Sequence, residues 1–452
     1  MATAPVDYAP ALDPAKEFVG PPTDPEDERI EVGVVIVGGG PAGLACAIRL
    51  SQLLEEEPDL AESLGEVPVA VVEKGKGPGS HLLSGAMMRP SAMRKLLPDL
   101  SESDWPTYGT VEKDRVYFMT RRRAVPLVPT PRPFRNHGNH VTSVAQLGRF
   151  LSEKAEAAGV YILGETAAQQ LLVEDGMVVG VRTGDKGRGR DGEELGNFEP
   201  GSDLIGKATV LAEGTQGHLT GAAIRHFDIG SAPMQWELGV KEVWQVEQPL
   251  DRVIHTMGWP LKLRAKYREF GGSWLYPMGE DKISLGLVAG LDYRDARFSV
   301  HDALQQLKQH PMIRELLEGG KRIAWGAKTI PSGGYWAMPE RLSAPGLCIA
   351  GDGAGMVNVP QLKGIHYAMH AGMFAAESIV DGLKRGDTRD LSGYEERVHG
   401  SEIEREIYRS RNMRQPFAKG FARGAVVANA MEISGGRFPG GQWKTHDDAT
   451  VD

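Results

Sequence analysis

A mixed α/β fold is predicted for this 452-residue chain, a Rossmann-like dinucleotide-binding domain with a smaller α+β unit inserted into it. Three observations predict it. An apolar, β-branched run at 30–37 leads into the glycine turn Gly38-Gly39-Gly40-Pro41-Ala42-Gly43, followed by a helix-forming stretch and a second apolar run at 67–72. A second glycine turn, Ala350-Gly351-Asp352-Gly353-Ala354-Gly355, follows another apolar run late in the chain. Between the two, residues 234–291 alternate short apolar runs with turns, as an antiparallel sheet does.

Residues 1–29 are rich in Pro, Asp, Glu and Ala and lack the basic and apolar regions of a secretory signal, so they read as a surface-draped arm. The nucleotide-binding domain is expected over 30–120, 136–225 and 345–400, the inserted domain over 226–344, and a helical tail over 401–452. In order, the pattern predicts a strand at 30–37, a helix at 44–55, a strand at 67–72 ending at Glu73, and helices at 89–97 and 144–158. Four prolines from Pro126 to Pro133 make the intervening segment extended chain. Strands at 160–181 and 207–211 flank a charged, Gly-rich stretch, 184–206, that reads as an exposed hairpin. Strands at 273–277 and 283–289, a helix at 300–317, a strand at 346–350 and a helix at 365–383 complete the order.

Hydrophobic residues make up 41% and the net charge is −9, so a large core is available and nucleic acid is a poor main partner. The two cysteines, Cys46 and Cys348, lie in apolar runs and read as buried thiols. They are too few for an iron–sulfur cluster, which takes about four, and a reducing compartment is expected. No run approaches the ~18–20 apolar residues of a membrane span. His81, His137, His255 and His366 lack metal-ligand spacing, read as structural histidines, and imply no metal site.

Each glycine of Gly38-x-Gly40-x-x-Gly43 removes a side chain where the chain must turn sharply, approach a pyrophosphate, or pack helix on strand. The phosphates then face a helix N-terminus. Glu73 stands where a carboxylate accepts hydrogen bonds from a ribose, although its separation from Gly43 exceeds the usual ~20 residues; the polar stretch 55–66 accounts for the excess. Asp352, in the second turn, is placed for a ribityl or ribose hydroxyl, and the two distant turns favour FAD over NAD. A third strand-to-turn element, Thr209 to Gly214, is expected to line the same cleft.

The chain resembles the electron-transfer flavoprotein:quinone oxidoreductases and the related FixC-type flavoproteins over about residues 30–415. The resemblance rests on His81-Leu82-Leu83-Ser84-Gly85, Asn136-His137-Gly138-Asn139, Ala212-Glu213-Gly214, His255-Thr256-Met257-Gly258-Trp259-Pro260-Leu261, Gly271-Gly272-Ser273-Trp274-Leu275-Tyr276, Gly290-Leu291-Asp292-Tyr293, Leu317-Glu318-Gly319-Gly320-Lys321-Arg322-Ile323-Ala324 and Asn358-Val359-Pro360-Gln361-Leu362-Lys363-Gly364. It implies an FAD domain of the glutathione-reductase/p-hydroxybenzoate-hydroxylase type and an inserted quinone domain. FAD binding falls to Val37, Gly38, Gly39, Gly40, Pro41, Ala42, Gly43, Glu73, Lys74, His81, Ser84, Gly85, Gln146, Gly214, Gly351, Asp352, Val357, Asn358, Lys363 and Gly364, and the quinone headgroup to Gly271 and Gly272. It also implies electrons taken from an αβ electron-transfer flavoprotein and passed to a membrane quinone, a reaction that needs no nucleophile or strong general base. Where the family often carries an Arg ahead of the Gln146 helix, this chain has Ser143. Fused relatives carry a cysteine-ligated cluster in a C-terminal domain; no cysteine follows Cys348, so any cluster is expected on a separate small ferredoxin-like protein, the FixC arrangement, which in some assemblies bifurcates electrons.

The stretches 125–134 and 417–431 mix apolar and basic residues, and are expected to contact a membrane surface or a partner subunit. The expected location is cytoplasmic, peripheral at the inner face of the cell membrane. Two neighbouring readings stay open: an isoprenoid reductase of the geranylgeranyl-reductase type, and an aromatic-ring flavin monooxygenase.

Overall fold

The computed structural model describes residues 12–215, 217–230, 234–445 and 448. The chain enters its core on β1 (Val34–Val37), turns into α1 (Pro41–Glu55) and returns on β2 (Val69–Val72). Strands β3 (Asp114–Met119) and β4 (Ala124–Pro126) leave this domain, and α2 (Val144–Ala157) and β5 (Tyr161–Leu163) bring the chain back. The hairpin β6 (Ala168–Glu174) and β7 (Met177–Thr183) precedes β8 (Ala208–Leu211). A long excursion builds β9 (Trp236–Gln245), β10 (Val253–Gly258), β11 (Gly271–Pro277), β12 (Lys282–Gly290), α3 (Val300–Lys308), α4 (Pro311–Leu317) and β13 (Lys321–Pro331). The chain then returns on β14 (Leu347–Ile349) and α5 (Ile365–Arg385), and α6 (Phe421–Ile433) lies in the tail.

The first sheet has the order β5-β2-β1-β8-β14, all parallel, with a short antiparallel edge at 343–344. Every residue of β1, β2 and β8 is buried, the mark of a parallel sheet covered on both faces. Helices α1 and α5 cross closely: a Cβ at Gly372 would stand 2.1 Å from the carbonyl oxygen of Ala42. The second sheet, β13-β9-β12-β11-β10-β3-β4, is antiparallel except for the parallel pair β10–β3.

Strand β12, Lys-Ile-Ser-Leu-Gly-Leu-Val-Ala-Gly, shows why this second sheet sits where it does. Ile283, Leu285, Leu287 and Ala289 point one way, into a core shared with Ile254, Leu275, Leu304 and Leu307 under α3 and α4. Ser284, Gly286, Val288 and Gly290 point the other way, toward the nucleotide-binding sheet. Cross-strand pairing puts Glu237, Gly239, Lys241, His255, Gly272, Trp274 and Tyr276 on that same face. The face is therefore thin at its centre, and the broad ring of Trp274 lies over Gly286, where an added Cβ would meet the ring at 2.1 Å.

Several elements differ from the sequence expectation. The run 30–37 divides: Ile30–Glu31 pairs with Leu204 and Ile205 in a separate five-stranded sheet, and only 34–37 joins the core. Residues 12–29 are more than a loose arm, because Val19 and Gly20 pair with Leu171 and Leu172, and Asp203 accepts from the backbone N–H of Thr23 at 2.8 Å. Strand β3, expected within the nucleotide-binding domain, pairs instead with β10 in the inserted sheet. The helix expected over 300–317 breaks at Pro311, which has no N–H, and the ring of His310 caps the new helix by accepting from Met312 N. Strands β9 and β13 span ten and eleven residues, longer than the short strands expected, and the whole of β13 went unforeseen.

Replacing Gly286 by Ala must displace the buried Trp274 ring or spread β11 from β12. Urea denaturation should show a loss of about 2 kcal/mol with an unchanged m-value.

Candidate functional site

The parallel strands β1 and β8 and the turn after β14 end at one side of the first sheet, where an elongated cleft of about 370 Å³ opens between the two sheets. At Gly43 a Cβ would fall 2.0 Å from the carbonyl oxygen of Gly38, so the strand-to-helix turn closes only without a side chain there. At Gly40 the nearest atom to an added Cβ is Leu82 Cδ2 at 3.8 Å; this glycine faces open cleft rather than protein. Both long helices present bare N-termini here. Gly40 begins α1 and Gly364 begins α5, neither with a side-chain cap and neither with an acid in the first turn. Such ends favour an anion.

Glu73 follows β2 and grips the turn from below. Its Oε2 accepts from Gly39 N at 2.9 Å and its Oε1 from Gly75 N at 2.7 Å. Asp352 lines the opposite stretch of the cleft. Burial pushes its carboxyl up to about 6, against the opposing pull of the Thr215 hydroxyl and the Lys328 charge. The loop after it is built by Asn358, whose Oδ1 accepts from Gln361 N at 3.3 Å and whose Nδ2 donates to the Tyr367 hydroxyl at 3.4 Å. Lys363 is buried rather than solvated. Its Nζ donates to Asn136 Oδ1 at 2.8 Å and to the Gln361 carbonyl at 3.1 Å, and burial, with the charge of Arg89, pushes it down to about 8.

Most residues expected at the cofactor line this cleft: Val37, Gly38, Gly40, Pro41, Ala42, Glu73, Lys74, His81, Ser84, Gly85, Gly214, Asp352, Val357, Lys363 and Gly364. Gly39, Gly43, Gly351 and Asn358 shape the turns behind the lining. Gln146 is not among the lining residues: it is exposed on α2, while Val144, two residues earlier, faces the cleft. The inserted sheet supplies wall residues that were not foreseen, among them Trp274, Tyr276 and Lys328. Lys241 and Ser284 of that sheet donate to the carbonyls of Ser84 at 2.8 Å and Gly85 at 3.3 Å, which clamps the 81–85 segment between the two sheets.

A second cavity, about 690 Å³, lies beside the first along the same face of the inserted sheet. It runs from Gly271, Gly272 and His255 between the proline-rich segment 129–135 and helix α6. The glycine pair has a reason internal to the sheet. Gly271 has φ +150°, and a Cβ there would stand 2.0 Å from the Val288 carbonyl oxygen; one on Gly272 would stand 2.7 Å from that of Thr256. The cleft and the second cavity share Glu237, Trp274, Val288, Val359 and Leu362 as lining. Across this same wall, His255 Nε2 and the Tyr276 hydroxyl share a hydrogen bond of 2.7 Å. Among the described residues, no group of three His, Cys, Asp or Glu side chains is gathered as metal ligands would be.

An anion-accepting helix end at each stretch of one cleft, a bare floor at Gly40 between them, and carboxylates placed for sugar hydroxyls at both ends fit FAD. The fold and the cleft define an FAD-dependent oxidoreductase. The family description "ETF-QO, ubiquinone-binding" matches residues 236–330, the greater part of the inserted sheet. The mitochondrial electron transfer flavoprotein-ubiquinone oxidoreductase of Oryza sativa subsp. japonica is 39% identical over 90% of this chain and 69% of its own length. A probable electron transfer flavoprotein-ubiquinone oxidoreductase of Acinetobacter baylyi is 36% identical over 86% of this chain and 71% of its own. The chain belongs to the electron transfer flavoprotein-ubiquinone oxidoreductase family. A solved geranylgeranyl bacteriochlorophyll reductase-like protein of Thermoplasma acidophilum shares the fold, with a TM-score of 0.68 and 18% identity over 94% of both chains.

Glu73→Ala removes the acceptor for two turn N–H groups and the expected ribose contact. FAD should bind about 2–3 kcal/mol more weakly, read as fluorescence of released flavin. In the flavin-free protein, the raised Asp352 makes folding take up a proton. Its contribution to stability is therefore complete below the ordinary aspartate range and is lost as pH rises through about 6. Thermal melts of flavin-free Asp352→Asn should lie above those of the parent at pH 8 by about 1–3 kcal/mol and converge with them near pH 4.

Proposed function

We propose that this protein takes electrons from an αβ electron-transfer flavoprotein onto FAD in the first cleft and delivers them to a quinone held against Gly271 and Gly272 in the second cavity. The observation that carries this reading is the shared wall. Among the described residues, only Glu237, Trp274, Val288, Val359 and Leu362 line both spaces, so two flat redox groups are brought near each other without sharing a chamber. The matches to proteins named for electron-transfer flavoprotein and ubiquinone support the choice of donor and acceptor.

When bound, FAD supplies the capacity to hold and release a pair of electrons. The chain's own residues do the rest. The bare N-termini of α1 and α5 favour the negative charge of the pyrophosphate and of the reduced ring system. Val288, Val359 and Leu362 make the crossing apolar. The glycine pair leaves a flat patch of backbone for a flat headgroup.

In finer detail, the protein acts as a FixC-type subunit with a small ferredoxin-like iron–sulfur partner, in an assembly of the kind that can bifurcate electrons. It works in the cytoplasm, held peripherally at the inner face of the cell membrane. The rim of the second cavity supports the membrane contact. Ile433 and Arg132 line it and are exposed, and the two segments that border it, 121–135 and 421–433, also expose Val125, Val128, Val426 and several arginines. No helix among the described residues is long and apolar enough to cross a membrane.

The purified protein should be yellow, with about one FAD per chain, and should oxidise reduced electron-transfer flavoprotein when a quinone is added. Pull-down with mass spectrometry should recover flavoprotein subunits together with a small cysteine-rich protein. Reoxidation by a geranylgeranyl substrate with formation of a saturated product, and none by quinone, would overturn the reading.

A further inference from the structure

Quinone reduction consumes two protons as well as two electrons, and the second cavity meets the FAD cleft at a wall whose shared side chains are mostly apolar. Of the five described side chains that line both the FAD cleft and this cavity, Glu237 alone can carry a proton. It stands on β9 opposite Gly290, on the face turned toward the cleft, and is only 3% exposed. The absence of a side chain at Gly290 leaves room for what surrounds it: an added Cβ there would meet Asp292 Oδ1 at 2.8 Å and Arg414 Nη2 at 2.9 Å.

The charges around Glu237 come from three other segments. Arg414 Nε lies 3.7 Å from Glu237 Oε1, and Arg414 Nη2 donates to Asp292 Oδ1 at 3.1 Å. Arg268 pairs with the same aspartate at 3.4 Å. The Ser332 hydroxyl, at the end of β13, reaches Glu237 from the cleft side. Arg414 is thus drawn toward Asp292, and Glu237 Oε1 has no hydrogen-bond partner within bonding distance among the described residues.

We propose that Glu237 shuttles protons across the wall, from the FAD cleft to the quinone oxygen. The inference rests on the function proposed above. As an electron reaches the quinone, the Glu237 O–H bond breaks and a quinone O–H bond forms. The carboxylate left behind is reprotonated from the cleft side, where water entering the open cleft would supply the protons. Two passes carry two protons, which with the electron pair convert quinone to quinol and leave Glu237 protonated as it began. Burial favours this cycle. It pushes the carboxyl up to about 7, against the lowering pull of Arg414, so both protonation states are within reach at neutral pH.

The test compares two acceptors on the FAD-loaded protein reduced by electron-transfer flavoprotein: a short-chain quinone, which takes protons, and ferricyanide, which takes an electron alone. In Glu237→Gln, the quinone rate relative to the ferricyanide rate should fall at least ~100-fold, with the quinone KM within about threefold of the parent. Glu237→Asp, which keeps the carboxyl, should recover part of the loss. The reduced-minus-oxidised infrared spectrum of the parent should show a carboxylic-acid carbonyl band that Glu237→Gln lacks. FAD content and melting temperature identify a misfolded variant, and Glu237→Asp with the infrared band then decides. A Glu237→Gln protein that reduces quinone at the parent ratio, or that keeps the band, overturns the shuttle and leaves the proposed function standing. A parent that reduces ferricyanide but no quinone overturns the function instead.

Discussion

At Gly43 a single added methyl group would stand 2.0 Å from the Gly38 carbonyl oxygen, and at Gly372 another would stand 2.1 Å from the Ala42 carbonyl oxygen. The first contact closes the turn from β1 into α1. The second brings α5 down onto that same turn from the far end of the chain. Both are backbone-to-backbone approaches, and no rearrangement of side chains relieves them. The bare ends of α1 and α5 reach one cleft because of these two crossings. Glu73 then fixes the floor of the cleft through two backbone N–H groups. With the nucleotide side so determined, the inserted sheet can form the opposite wall only if its facing side is thin, and Gly239, Gly286 and Gly326 lie on that side, as the register of β9 with β12 and β13 shows.

The electrostatic pattern follows from the same geometry. Groups on the cleft wall are short of water, and their protonation equilibria shift toward the neutral form: Asp352 and Glu237 move up, and Lys241 and Lys363 move down, in each case with burial as the largest cause. Acids anchored by strong partners behave oppositely. Glu402, bonded to His370, is held near 2. The wall groups therefore titrate nearer to neutral pH than free side chains do, around a site whose cofactor changes charge, while fixed ion pairs hold the scaffold behind it.

How much of this was legible in the sequence depends on whether the signal is local. The turn Gly38–Gly43, the acid Glu73 and the turn at Asp352 each combine a short motif with a strand on one side, and the structure brings them to one cleft. Strand β13 was missed because its first five residues, Lys321 to Trp325, are all exposed, so no buried alternation marks it. Strand β3 was misplaced because its partner β10 lies far away in sequence, and nothing within 114–119 names that partner. Gln146 was expected at the cofactor; it stands exposed on α2, two residues past Val144, which lines the cleft, so helix phase decides which of the two faces it. Trp274, Tyr276 and Glu237 were readable in principle from strict alternation in β9, β11 and β12, once one face of those strands had been assigned to the cleft.

Strand β14 and helix α5 come from residues 347–385, yet they complete a sheet and cover a helix begun at residue 34. During synthesis, the apolar side of α1 that packs under α5 has no native cover until most of the chain has left the ribosome. The parallel pairing of β8 with β14 also waits for that moment. Assembly of the cofactor site is thus a late event in the life of the nascent chain, and the early segment must be kept from aggregating until its cover arrives.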